Sequence, residues 1–222
     1  MNDPRPSTIF CDIDGTLLYA KGSGRIAFGE AFETAYGVSV DMTSINFAGA
    51  TDIGVVEKLA RQNGITLEAE KTRHLFDRLP ELLDQNMADV PPTVFPGVAH
   101  FLERVSTRWQ LGLVTGNIRA CAYLKLQHAG LDGYFSEVGG FGDDDGSRNR
   151  MAALALARAG NPAGSVLLGD TPSDIEAART NGMLSVAVCN GQFDRQALEA
   201  EHPDMIVDTF EDAEHLFRVL DV

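Results

Sequence analysis

Short apolar runs recur along the chain, separated by stretches whose apolar residues return every three or four positions. Thr8–Cys11, Leu111–Thr115, Ser165–Gly169, Leu184–Val188 and Met205–Val207 are brief and almost wholly apolar. That is the pattern of strands buried on both faces of a parallel sheet. Ser136–Gly142 holds room for one more short strand. Between these runs Val98–Thr107, Ile118–Ala129, Arg148–Ala159, Ser173–Thr180 and Phe210–Leu220 read as helices. Strand alternating with helix predicts a Rossmann-like α/β fold, a parallel sheet with helices on both faces.

One interval breaks the alternation. Residues 21–90 carry only helical signals. Phe28, Phe32 and Ala35 share a face, Val55, Val56, Leu59 and Ala60 make a second stripe, and Leu75, Phe76, Leu79, Leu82 and Leu83 make a third. Pro80 is expected to break the last of these helices. Hinge-like composition flanks the interval, Ala20–Gly24 going in and Val90–Gly97 coming out. The reading is an all-helical cap (21–90) inserted after the first strand of a core built from residues 1–20 and 91–222.

Charge narrows the choice of partners. The 222 residues carry 32 Asp and Glu against 18 Lys and Arg, a formal charge of −14. That balance argues against nucleic acid and membrane surfaces, although a metal ion or helix N-termini can reverse the sign locally. Cys11, Cys121 and Cys189 are odd in number and widely spaced, so neither a disulfide framework nor a structural zinc site is expected. The first ten residues lack the charged and apolar regions of a signal peptide, and no apolar stretch reaches the length of a membrane span. A cytoplasmic protein, monomer or homodimer, is the expectation.

The candidate chemistry lies at the ends of the strands. Asp12 and Asp14 follow the first run, and side chains two apart in extended chain point the same way. Burying two close carboxylates costs several kcal/mol unless something offsets it. A second run ends in Asp170, with Asp174 at the start of the next helix. Thr171, Pro172 and Asp174 also have the spacing of an N-cap, N1 and N3, so a helix cap stands beside metal ligation as a reading of Asp174. Carboxylates converging at strand ends make an oxygen site for a hard divalent cation, most naturally Mg2+. A third run ends in Thr115–Gly116–Asn117, where a hydroxyl and free amides at a helix N-terminus make a phosphate seat.

Asp12–Leu17 (DIDGTL), Leu113–Asn117 (LVTGN) and Gly169–Asp174 (GDTPSD), in this order, resemble the motifs of the haloacid dehalogenase superfamily, in its phosphoglycolate-phosphatase-like branch. Phe47–Asp52 (FAGATD) resembles a turn of the helical caps of that branch. The resemblance implies a phosphatase of small phosphorylated metabolites. Asp12 would be the nucleophile that forms an aspartyl-phosphate, and Asp14 the general acid and base. Mg2+ would be held by Asp12, Asp170, the Asp14 carbonyl and Asp174. Thr115, Gly116 and Asn117 would hold the phosphoryl oxygens, and Thr51 in the cap would reach the substrate.

One departure stands out. The family places a lysine against the nucleophile, and the corresponding stretch Gly139–Gly160 contains none. Arg148 sits nearest the expected place, ahead of Arg150 and of Lys125 on the preceding helix; arginine binds phosphate in a fork that lysine cannot copy. The substrate stays open among phosphoglycolate, a sugar phosphate and a nucleotide. A phosphomutase uses the same motifs, and a phosphometabolite-binding regulator that has lost catalysis is the reading from another class. The second acid, Asp14, disfavours a dehalogenase.

Overall fold

A computed structural model describes residues 7–222; Met1–Pro6, part of the stretch read for a leader, lie outside the described residues. Six strands form one parallel sheet: β1 (Thr8–Cys11), β4 (Gln110–Val114), β5 (Gly139–Gly140), β6 (Val166–Gly169), β7 (Leu184–Val188) and β8 (Met205–Val207), in the order β5-β4-β1-β6-β7-β8. The first strand is therefore central. The chain first builds outward on one side of β1, then returns to build on the other. Such a reversal opens a crevice at the carboxyl ends of the strands, where open α/β sheets bind ligands.

The two-residue period of a strand divides the core. Ile9 and Cys11 join Leu111, Leu113, Val166 and Leu168 on one face, beneath α4 (Val98–Val105), α5 (Arg119–His128) and α9 (Glu214–Leu220). Phe10 turns the other way and packs with Leu167, Ala152, Ala155, Ala177 and Ala178 under α6 (Arg148–Ala159) and α7 (Pro172–Thr180). The small alanines let those two helices lie close on the sheet. Both faces are covered, so the strands read as unbroken apolar runs.

Several expectations are corrected. The segment read as one helix from Phe210 to Leu220 is a 3-10 turn, Phe210–Asp212, followed by α9, because Ala213 departs from helical geometry. A short helix α8 (Arg195–Glu199), capped by the Asp194 side chain on the Ala197 amide, had no apolar stripe to announce it. Pro80 does not break its helix. The helix α3 (Ala69–Asp89) runs through it, because Leu75, Leu79, Leu82, Leu83 and Met87 hold one continuous buried face. A proline removes one hydrogen bond from a helix, and packing over 21 residues outweighs that loss here.

The helices of the interval 21–90 are α1 (Ser23–Tyr36), α2 (Asp52–Gln62) and α3, with a 3-10 turn at Met42–Ser44. Phe28 and Phe32 of α1 and Leu75, Leu79 and Leu83 of α3 share one buried cluster, and the Tyr36 hydroxyl meets Thr72 at 2.7 Å. The segment rests on α5 through Asp84, 2.7 Å from His128. Its entry and exit are joined by a ladder missing from the sequence reading, β2 (Leu18–Tyr19) antiparallel to β3 (Thr93–Val94). Strands of two residues show no periodicity. Among the described residues no helix is long and apolar enough to cross a membrane.

Candidate active site

At the end of β1 the chain turns at Gly15, with φ +84°, a conformation that glycine adopts without strain. A side chain there would also strike the Asp170 carboxylate. The turn is thereby able to bring the ends of β1 and β6 together. Asp12, Asp170 and Asp174 are all buried, with carboxylate oxygens within 4.8 Å of one another. Thr16, one residue past the turn, donates its hydroxyl to Asp170 at 2.9 Å. Asp174 caps its helix and also faces the cluster. One oxygen accepts from the Thr171 amide (3.1 Å) and hydroxyl (2.7 Å) at the head of α7, while the other faces the cluster with no hydrogen-bond partner.

Arg148, the first residue of α6, is the cation of this cluster. Its two terminal nitrogens each reach an Asp12 oxygen at 3.3 Å, and one also donates to the Val114 carbonyl at 3.1 Å. Its Nε lies 3.3 Å from the free Asp174 oxygen without the alignment of a hydrogen bond. Burial opposes the guanidinium charge, but Asp12 and Asp174 overcome it and hold Arg148 above its ordinary range. Burial, with the Asp12 charge behind it, raises Asp170 well above the usual carboxylate range. Burial pushes Asp174 up to about 6 although Arg148 pulls against the rise. Three carboxylates against one guanidinium leave the cluster short of positive charge. Arg150 is elsewhere, in an exposed pair with Asp145.

Asp14 has a separate partner. Lys125, 5 % exposed, reaches down from α5 to within 2.5 Å of Asp14 and 2.7 Å of the Asn117 carbonyl oxygen. Asn117 returns its amide to Asp14 and to the Thr115 hydroxyl, both at 2.8 Å. Burial lowers the lysine's proton affinity, and the Asp14 charge more than restores it. The Asp14 carboxylate thus belongs to the Lys125–Asn117 network and not to the cluster of three; the sequence reading gave it to a metal through its main-chain carbonyl alone.

Asp52, at the head of α2, ties the interval 21–90 to this site. It donates its amide to the Gly116 carbonyl (2.8 Å) and accepts the Ile118 amide on its carboxylate (2.7 Å). Two reciprocal bonds therefore clamp the loop Thr115–Ile118. Gly116 has to be glycine for this, since a side chain would run into the Ala50 carbonyl. Burial pushes Asp52 up to about 7. Thr51 lies off the main cavity. Its hydroxyl caps α2 through the Gly54 amide (3.1 Å) and donates to the Gly146 carbonyl (3.3 Å).

A cavity of about 460 Å³ opens above Asp12, Asp14, Thr115, Gly116 and Asn117 and extends under α1 and α3. Asn190 and Gly191, past the end of β7, also border it. Asn190 donates to the Thr16 carbonyl at 3.2 Å. The sequence reading did not single out these two residues; the signal was their place directly after an apolar run, where the other candidates also lie.

Fold and site together define a doubly wound α/β protein with paired acids at the switch point of its sheet. The sequence pattern of the family described as haloacid dehalogenase-like hydrolase matches residues 6–182, and the chain belongs to that family. It is 37% identical to a phosphoglycolate phosphatase of Synechococcus elongatus over 136 residues, 60% of this chain and 64% of that one. It therefore spans less than two thirds of that relative's length. A phosphoglycolate phosphatase of Pectobacterium atrosepticum is 28% identical over 90% of this chain and 88% of its own. The fold is shared with a beta-phosphoglucomutase structure from Clostridium difficile, at a TM-score of 0.71 and 16% identity over 97% and 96% of the two chains.

Proposed function

We propose that the protein is a Mg2+-dependent phosphatase of small phosphomonoesters that works through an aspartyl-phosphate. The observation that carries this reading is the unequal pair at the end of β1. Asp12 is buried and fixed by Arg148, whereas the Asp14 side chain is 39% exposed and opens on the cavity. A nucleophile has to be held in line; a proton-transfer group has to reach the leaving atom and then water. In this reading an Asp12 oxygen attacks phosphorus, Asp14 protonates the departing alcohol, and Asp14 then takes a proton from the attacking water.

The residues present fit a divalent cation. Asp12, Asp170 and Asp174 would hold it, since they are all-oxygen donors with a surplus of negative charge, and one buried Asp174 oxygen has no other hydrogen-bond partner. Such an ion supplies the positive charge that lets one anion approach another. Thr115 and the Gly116 and Asn117 amides would take the phosphoryl oxygens, and Arg148 would serve where the family has lysine. Residues 21–90 would act as a cap over the core of 1–20 and 91–222, pivoting on the β2–β3 ladder and closing through Asp52.

The phosphatase names come from relatives, so the test is direct. Phosphate release from a panel of small phosphomonoesters is expected with Mg2+, lost with chelator and lost in Asp12→Asn. Release that survives Asp12→Asn would sink the proposal. A requirement for a bisphosphate primer would move the assignment to a mutase.

A further inference from the structure

The cations of the cavity fall into two sets. Arg148 and Lys125 are buried and committed, the first to Asp12 and Asp174, the second to Asp14. Lys21 and Arg25 line the same cavity from its helical side. Neither has a carboxylate within 4 Å among the described residues. They are the cations of this cavity that are not committed to an acid. Asp41 is the acid that senses Arg25, yet its Oδ1 is taken by the Thr43 amide and hydroxyl at 2.9 and 2.6 Å.

The backbone sets Lys21 beside the cavity, and Arg25 is anchored through its guanidinium. Lys21 has φ +52° and Gly22 φ +85°, a turn that carries the chain from β2 into α1 and sets Lys21 beside the cavity. A lysine in that region is strained, and strain of this kind collects at functional sites. Arg25 lies with its guanidinium 4.8 Å from the centre of the Phe47 ring and donates one N–H to the Met42 carbonyl. A guanidinium has five N–H donors, so most remain for a ligand while its plane is already fixed. The same cavity is also lined by apolar side chains, Phe28, Phe47, Leu79, Leu83 and Phe95 among them.

We propose that Lys21 and Arg25 form a second anion subsite, and that the substrate is a phosphomonoester whose leaving alcohol carries a carboxylate or phosphate beyond an apolar body. This rests on the phosphatase reading and adds to it the chemistry of the leaving group. A leaving group with an apolar body matches the aromatic and leucine side chains of the lining. A two-carbon leaving group would leave much of a cavity of about 460 Å³ unfilled.

Phenyl phosphate, 4-carboxyphenyl phosphate and benzene-1,4-diyl bisphosphate separate the contributions. Each anionic ester is expected to exceed phenyl phosphate in kcat/KM by about tenfold or more, the effect of one charge-assisted contact. The ester that gains more identifies the anion. Arg25→Met and Lys21→Met should each erode that preference while leaving phenyl phosphate turnover within about twofold, since apolar contacts carry that substrate. Equal rates on all three esters in the wild type would overturn the subsite, as would variants that slow all three alike. Were none hydrolysed, the phosphatase reading would fall and the subsite would still be judged. Benzylphosphonate and 4-carboxybenzylphosphonate would then be compared by calorimetry, where tighter binding of the carboxylated probe, lost in Arg25→Met, supports it and equal binding refutes it.

Discussion

Asp12 and Asp14 leave the same strand two residues apart, and the protein surrounds them differently. Asp12 faces an arginine whose fork spans both of its oxygens, in a pocket where neither partner is more than 6% exposed. Asp14 faces a lysine, a point charge on a flexible stem, and its own side chain stays 39% exposed. An arginine fork fixes a carboxylate in a plane, whereas a lysine neutralises it without dictating its orientation. In the proposed mechanism the difference separates a group that must not move from one that has to exchange protons. It also shows why the missing lysine of the family pattern need not mean lost function. The chain holds two buried cations at the end of β1, one for each acid.

The comparison is broken most severely at Arg148. Arg148→Met would leave Asp12 and Asp174 buried without a cation, and removing one partner of a buried pair costs roughly 3–5 kcal/mol of stability. Phosphatase turnover should fall by about a thousandfold or more, as expected when a charge aligned on the reacting centre is lost. Arg148→Lys restores the charge without the fork and should recover part of the stability and less of the rate. Thermal melts read beside kcat would show this ordering. A lysine variant as active as wild type would remove the distinction between the two sites.

A smaller effect is expected at Lys125. Lys125→Met leaves Asp12 and its cluster untouched and loosens only Asp14 and Asn117, so turnover should drop by about ten- to a hundredfold, within the range of a general acid–base contribution. Affinity for inorganic phosphate should hold within a few-fold if Thr115 and the loop amides make that seat. Rapid-quench measurement with an activated ester, whose departure needs little protonation, should show a deficit that shrinks relative to an alkyl phosphate. An equal deficit on both esters would assign Lys125 to structure alone.

What the sequence disclosed follows from where each signal is written. The sheet was legible because strands buried on both faces are apolar at every position, as in Thr8–Cys11 and Leu184–Val188. Asp12 and Asp170 were legible because a carboxylate directly after such a run is costly to bury unless a cation or a reaction needs it there. Lys125 was harder. On α5 it reads like any surface lysine, and only the packing of Asp14 and Asn117 against it reveals that it is buried. The same holds for Pro80, whose helix survives through contacts with α1 that local propensity cannot show. The β2–β3 ladder and the Asp52 clamp join segments far apart in the chain, and they exist only once it has folded.

The clamp gives the mildest and most selective test, because Asp52 serves neither acid directly. Its carboxyl is buried against the Ile118 amide, with Lys125, Asp14 and Asp143 as the charges around it, and burial raises it from 3.8 to about 7. A carboxyl raised on folding binds its proton more tightly in the folded state. Its contribution therefore favours folding below the unfolded value near 4 and declines as pH rises from there through about 7. Asp52→Asn keeps an oxygen for the Ile118 amide and removes the titration. The difference in melting temperature between wild type and Asp52→Asn should thus change between pH 5 and pH 8, with the variant gaining relative to wild type as the pH rises. The gain should amount to a few kcal/mol at most, since partial opening of the helical segment would let water reach the carboxylate. Asp52→Ala, which has no acceptor for the amide, should instead weaken phosphate binding at every pH. A constant difference between wild type and Asp52→Asn across this range would show that the carboxyl keeps an ordinary proton affinity, and that the helical segment stands further from the phosphate loop in solution than the two bonds of the clamp require.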